Sequence, residues 1–267
     1  MNDPNIANAA SFESKELNVR PGFADIWNVP LETGGRVLDD LRRILSSDEQ
    51  QRALRFHAVE HQELFVAGRG ILRQILSCYL RVQPESLIFR YGAKGKPDLE
   101  GPPGLHFNLG HSGGRAVYAV AADRVGVDIE LVQLSRDWQK ISQRFFSPRE
   151  AEELASLDPS RQISGFFACW TRKEAYIKAV GDGLAIPLNK FYVGANPVHT
   201  EGAIEIDIDA DTDKEKLTPR WYFKDLKLGE PFAGTIVTRF PECRIRCFNF
   251  DRAEDCLSFV NEARRNS

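Results

Sequence analysis

Asp128 and Glu130 stand two residues apart in Gly126-Val-Asp-Ile-Glu130, just after the strand-like run Ala116-Val-Tyr-Ala-Val-Ala-Ala122. Extended backbone sends alternate side chains to opposite faces, so both carboxylates leave the same face. Some forty residues later, Trp170-Thr-Arg-Lys-Glu-Ala-Tyr-Ile-Lys178 reads as a helix. Glu174 and Lys178 are one turn apart there and share a side. Three carboxylates and a lysine, brought together, make a site for a hard cation beside a fixed positive charge. An enzyme that handles a pyrophosphate needs that combination. Phe166, Phe167, Trp170, Ile177 and Val180 sketch an apolar stripe interrupted by Lys173 and Glu174. Charges on a stripe meant for burial are costly unless paired or metal-bound, which favours a site over a solvated strand end.

The elements that must position these groups follow from periodicity. Helical spacing of apolar residues covers 38–45 and 48–80, the later part tolerating Gly68 and Gly70. Ser147, Pro148 and Glu150 form a helix start with a capping box, and a further helix runs over 163–180 with Gly181 as its stop. Strands are expected at 25–30, 86–91, 105–109, 115–122, 191–193, 203–208, 220–223, 232–237 and 244–248. Gly110-His-Ser-Gly-Gly114 reads as the turn between two of them, and 209–216 as a solvated hairpin. Both halves run from helices through Gly/Pro-rich turns to strands. Arg69-Gly-Ile-Leu-Arg73 holds a place comparable to Lys173–Lys178, which suggests a duplicated α+β unit.

Composition excludes several classes. The 267 residues, 42% hydrophobic and 27% charged, describe an ordinary globular chain. A formal charge of −3 gives no support for nucleic acid as the main partner. No apolar stretch approaches membrane-spanning length, and the N-terminus lacks the pattern of a signal peptide. Cysteines 78, 169, 243, 247 and 256 are odd in number and form no C-x-x-C pair, so a reducing, cytoplasmic setting is expected.

Gly-Val-Asp-Ile-Glu followed by Trp-x-x-Lys-Glu-Ala-x-x-x-Lys resembles the surfactin-type 4'-phosphopantetheinyl transferases. Lys94-Gly-Lys96-Pro97 and Phe107-Asn108-Leu-Gly110-His111-Ser112 also look like that family's coenzyme-binding turns. The resemblance implies two similar α/β subdomains related by a pseudo-two-fold axis, with the active site in the cleft between them. In that scheme residues 1–20 are a loose arm, 21–124 the subdomain on the coenzyme A 3'-phosphate side, and 125–267 the metal and catalytic subdomain. It implies Mg²⁺, or Mn²⁺, on Asp128, Glu130 and Glu174, with Asp128 counted among the catalytic groups. Glu174 serves as third ligand or general base, and Lys178 faces the pyrophosphate or the leaving group. Arg52, Lys94, Lys96, Asn108, Gly110 and His111 are implied for the coenzyme. Lys173 either binds phosphate or fixes Glu174. Gly110 departs from the family, which has serine there and so a hydroxyl donor. The implied reaction moves phosphopantetheine from coenzyme A to a serine of an apo acyl or peptidyl carrier protein, and the implied protein is a monomer.

Two other readings compete: a Mg²⁺-dependent nucleotide phosphohydrolase, and a non-catalytic binder of coenzyme A or carrier proteins. For Arg69 and Arg73, salt bridging between the halves and phosphate binding stand level. His57-Ala-Val-Glu-His61 matches the H-x-x-E-H zinc pattern but lies on a polar part of a helix without a third-ligand motif.

Overall fold

The structure is a computed structural model that describes residues 6–8, 17–92, 95, 97–101, 103–133, 137–181, 186–206 and 220–265. Its chain opens with β1 (Ile6–Asn8), β2 (Phe23–Pro30), α1 (Gly35–Arg43), α2 (Ser47–Ala53) and α3 (Val59–Leu80). Five strands follow: β3 (Ile88–Tyr91), β4 (Pro97–Glu100), β5 (His106–Ser112), β6 (Arg115–Ala121) and β7 (Gly126–Leu131). Three helices come next, α4 (Trp138–Phe145), α5 (Pro148–Ser156) and α6 (Pro159–Val180). The rest is β8 (Phe191–Tyr192), β9 (Glu201–Ala203), β10 (Glu205–Ile206), β11 (Tyr222–Asp225), β12 (Phe232–Thr238), β13 (Arg244–Asn249) and α7 (Ala253–Arg265). Helix and sheet are mixed, as the α+β reading requires.

Two compact units interleave along the chain. The first takes Met1–Leu105, Gly114–Ala122 and Arg244–Ser267; the second takes His106–Gly113 and Asp123–Cys243. In the first, β13 pairs in parallel with both β1 and β2, and β2 pairs antiparallel with β6. Ile6–Asn8, within the segment expected as an arm, thus supplies an edge strand. The first unit's core includes Ile71, Leu72, Ile75 and Leu76 of α3, and Trp27 stacked on Phe248 with ring centroids 4.4 Å apart. In the second, β7, β12, β11 and β9 form an antiparallel sheet in that order. Phe166, Phe167 and Tyr176 of α6 pack into one core with Val237 of β12 and Phe223 of β11.

Each unit contains the same buried device. In the first, Glu49 at the start of α2 accepts Ser46 N–H and the Arg73 Nε–H at 2.7 Å. Arg73 Nη1 donates in turn to the Pro84 and Leu87 carbonyls. In the second, Glu150 at the start of α5 accepts Ser147 N–H and pairs with Lys173 Nζ at 2.7 Å. The Lys173 ammonium donates onward to the Leu188 and Phe191 carbonyls. Arg73 and Lys173 both lie on 22-residue helices.

Two expectations are corrected. The helix expected over 48–80 is interrupted: Leu54, Arg55 and Phe56 N–H groups close the end of α2, and α3 starts afresh at Val59. That reversal lets Arg69 and Arg73 return to Glu49, so their partner lies inside their own unit. It also leaves His57 in the connection and only His61 on the helix, both exposed. The turn expected at 110–114 shrinks to Gly113 and Gly114, whose φ values are +54° and +75°. Gly110, His111 and Ser112 are strand residues of β5. Lys94, Lys96 and 209–216 lie outside the described residues.

Candidate active site

Gly126 decides how closely strand and helix approach. A Cβ there would lie 2.0 Å from the Ala175 carbonyl oxygen and 2.5 Å from Ala179 N. Both are backbone atoms of α6, so only glycine lets α6 lie this close to β7. Two residues on, Asp128 and Glu130 leave one face of β7, opposite Thr235 and Ala233 of β12. Helix α6 starts at N-cap Asp158 with Pro159 behind it and ends at Gly181, whose φ is +83°. Its last turns carry Glu174 and Lys178.

Lys178 Nζ meets Asp128 Oδ1 at 2.7 Å and donates to the Val127 carbonyl at 3.2 Å. Asp128 is only 6% exposed, and its Oδ2 is buried with no hydrogen-bond partner. Burial outweighs the lysine here: the Asp128 pKa is pushed up to about 6, with Glu130 and Glu174 adding to the rise. Glu174 is half-buried, and burial raises its pKa as well, against the pull of Lys178. Glu130 accepts from the Trp170 indole at 3.2 Å and from the Ser112 hydroxyl at 3.1 Å. His111 keeps an exposed edge, yet its crowded setting lowers its pKa, with the Lys178 charge adding to the effect.

The remaining expected residues divide. Asn108 is buried and its side-chain oxygen accepts Val127 N–H at 2.9 Å, which fixes β7 beside β5. Gly110 is buried under the site: a Cβ there would lie 3.2 Å from both Lys178 Nζ and the Asp128 Cα. The glycine lets the lysine settle onto the strand backbone, where a serine would crowd it. Lys173 does not join this group. It is fully buried, and its three donors reach Glu150, Leu188 and Phe191. An internal role replaces phosphate contact, because an ammonium without exposed surface has no room for a ligand. Arg52, in the first unit, is exposed at the end of α2, with its guanidinium 5.7 Å from the Phe65 and Tyr91 ring centres. Arg73 is committed to Glu49, Pro84 and Leu87.

Sequence reasoning missed the hydroxyl of Ser112. Asn108, Gly110 and Ser112 alternate along β5 and share a face, a signal hidden by reading Gly110–Gly114 as a turn. It also missed the buried chain in which Arg172 pairs with Asp225 while Thr235 bonds both Asp225 and Thr171.

Among the described residues, no three Asp, Glu, His or Cys side chains converge closely enough to enclose a metal ion. Magnesium does not require that. It is ordinarily held by one or two carboxylates, substrate phosphates and water. A hard-oxygen pair on one strand face, with a buried unpartnered Asp128 oxygen, fits that manner of binding.

The 4'-phosphopantetheinyl transferase superfamily matches residues 124–237, and the 4'-phosphopantetheinyl transferase N-terminal family matches residues 36–125. The chain is 46% identical over 164 residues to the 4'-phosphopantetheinyl transferase HetI of Nostoc sp., covering 60% of this chain and 69% of that protein. It is 35% identical to the 4'-phosphopantetheinyl transferase gsp of Aneurinibacillus migulanus, covering 64% and 71%. The 4'-phosphopantetheinyl transferase Sfp of Bacillus subtilis is 30% identical, covering 61% and 71%. This chain belongs to the 4'-phosphopantetheinyl transferase family. It is a transferase, and the resemblance drawn from its motifs holds. No helix among the described residues is long and apolar enough to cross a membrane.

Proposed function

We propose that the protein moves phosphopantetheine from coenzyme A to a serine of an apo acyl or peptidyl carrier protein, releasing adenosine 3',5'-bisphosphate. The observation that carries this reading is the Lys178–Asp128 pair, set beside Glu130 and Glu174 where β7 meets α6. Asp128 and Glu130, with Glu174 at hand, would hold the Mg²⁺, or Mn²⁺ in its place, which would supply charge neutralisation at the pyrophosphate. Lys178 orients the pyrophosphate and stabilises the charge that develops on the leaving phosphate. Glu174 takes the proton of the attacking hydroxyl, a role helped by the upward pull of burial on its pKa. His111, Asn108 and the Gly110 backbone, together with Arg52, Lys94 and Lys96, keep their coenzyme roles as an inference from the family motifs. Lys173 is left out of the coenzyme set.

We further read the two units as copies of one α+β design, supported by the repeated glutamate–cation device around Glu49 and Glu150. Five free, buried cysteines support a reducing, cytoplasmic setting, and a monomer is the expected working form.

The test is direct. Purified protein, coenzyme A, Mg²⁺ and an apo carrier protein are incubated, and the carrier is weighed by mass spectrometry. One added phosphopantetheine, lost on chelation, is the expected result. Phosphate release without any carrier would instead mark a hydrolase.

A further inference from the structure

Glu130 is held more elaborately than its position near the end of β7 requires. The Trp170 Nε1–H donates to Oε1 at 3.2 Å, and the Ser112 hydroxyl donates to Oε2 at 3.1 Å. The hydroxyl is aimed, because its oxygen already accepts the Leu131 N–H at 3.1 Å. With that acceptor position filled, the O–H turns toward the carboxylate. The indole is aimed too. Phe166 lies nearly parallel to it at 6.1 Å, and Phe145 meets it edge-on at 6.2 Å. Two donors from two different elements, β5 and α6, therefore converge on one carboxylate.

Neighbouring Asp128 is treated differently, with one oxygen on Lys178 and the other buried without a partner. A glutamate side chain has three rotatable torsions, and leaving it loose means ordering it anew each time a ligand arrives. Each carboxylate oxygen has two acceptor positions, so accepting one N–H or O–H is compatible with binding a cation.

We infer that Trp170 and Ser112 are positioning residues that hold the Glu130 carboxylate in the orientation in which it receives a divalent cation. This rests on the metal role proposed for Glu130. It also explains why position 170 carries tryptophan. A phenylalanine would still offer a ring to Phe145 and Phe166, but it has no N–H to donate. Donors of this kind orient a ligating carboxylate, and their loss ordinarily weakens metal binding by about 10–100-fold.

The test uses the whole protein without coenzyme A, titrated with Mn²⁺ while free Mn²⁺ is followed by electron paramagnetic resonance. Trp170→Phe and Ser112→Ala are each expected to raise the Mn²⁺ Kd about tenfold. Ser112→Thr, which keeps the hydroxyl, should restore wild-type binding. The half-saturating Mg²⁺ in the transfer assay should rise by the same factor as the Mn²⁺ Kd. Glu130→Ala is the reference. If it weakens binding while Trp170→Phe and Ser112→Ala bind Mn²⁺ like wild type, the positioning role is overturned and the metal site stands. If Glu130→Ala binds like wild type, the metal role of Glu130 fails and the positioning role with it. A lowered Tm with an unchanged Kd would show that the indole serves packing alone, and counts against the inference. Should Trp170→Phe not fold, the Ser112 pair decides.

Discussion

Replacing Gly126 with alanine tests the packing that assembles the site. The new methyl would lie 2.0 Å from the Ala175 carbonyl oxygen, 2.5 Å from Ala179 N and 2.9 Å from Ala179 Cα. Backbone atoms cannot rotate aside. Since ordinary heavy-atom contact begins near ~3.4 Å, α6 must withdraw from β7 by roughly 1.4 Å. Overpacking ordinarily costs about 1–3 kcal/mol, and an unyielding helix backbone puts this case at or above about 3 kcal/mol. With a urea m-value of about 2 kcal/mol/M, the unfolding midpoint should drop by about 1.5 M. The chemistry should suffer separately, because the same retreat separates Lys178 on α6 from Asp128 on β7, now 2.7 Å apart. A misplacement of about 1 Å can cost on the order of 100-fold in rate. Urea unfolding followed by tryptophan fluorescence gives the first number, and carrier-protein loading at saturating coenzyme A gives the second. A variant with wild-type midpoint and wild-type kcat would refute the claim that this contact sets the site.

Lys173→Met should lower stability by about 3–5 kcal/mol, because it strands the buried Glu150 carboxylate. Pairing it with Glu150→Gln should recover part of the loss in urea melts, whereas a raised coenzyme KM with unchanged stability would return Lys173 to phosphate binding. Asp128 holds its proton more tightly in the folded chain, with a pKa of about 6. Its carboxyl is therefore neutral in both folded and unfolded chains at low pH, and ionisation begins to penalise the metal-free fold as pH rises through ~4. The penalty is complete above about pH 6 and amounts to at most about 3 kcal/mol. Asp128→Asn should flatten that part of a stability–pH curve measured in chelator. Arg52→Ala, at an exposed position, should raise the KM for coenzyme A and leave the Tm in place, and a kcat loss at normal KM would remove it from coenzyme binding.

Much of the catalytic side of the chain was legible because its signals are local. Ser147-Pro-Arg-Glu150 announces the α5 cap, Gly181 ends α6, and the alternation of Asp128 and Glu130 puts two carboxylates on one face. Other features depend on residues far apart in sequence. Lys173 looked like a site group because its partner, Glu150, lies 23 positions away on another helix. The edge pairing of Ile6–Asn8 with β13 joins residues more than 230 positions apart, which no periodicity announces. Ser112 was hidden by glycine: Gly110, Gly113 and Gly114 together read as a turn, although Gly110 is there to clear space for Lys178.

The glutamate–cation device has a consequence for how each unit comes apart. Glu150 ties the entry of α5 to the middle of α6, and Lys173 carries the tie to the carbonyls just before β8 and at its first residue. The second oxygen of Glu150 holds the amide of Val193. If any one of these segments peels away, a charge is left buried without its counterpart, so fraying one segment at a time is penalised. The amides of Ser147 and Val193 should therefore surrender their hydrogens to solvent in a single shared opening, although 46 positions separate them along the chain.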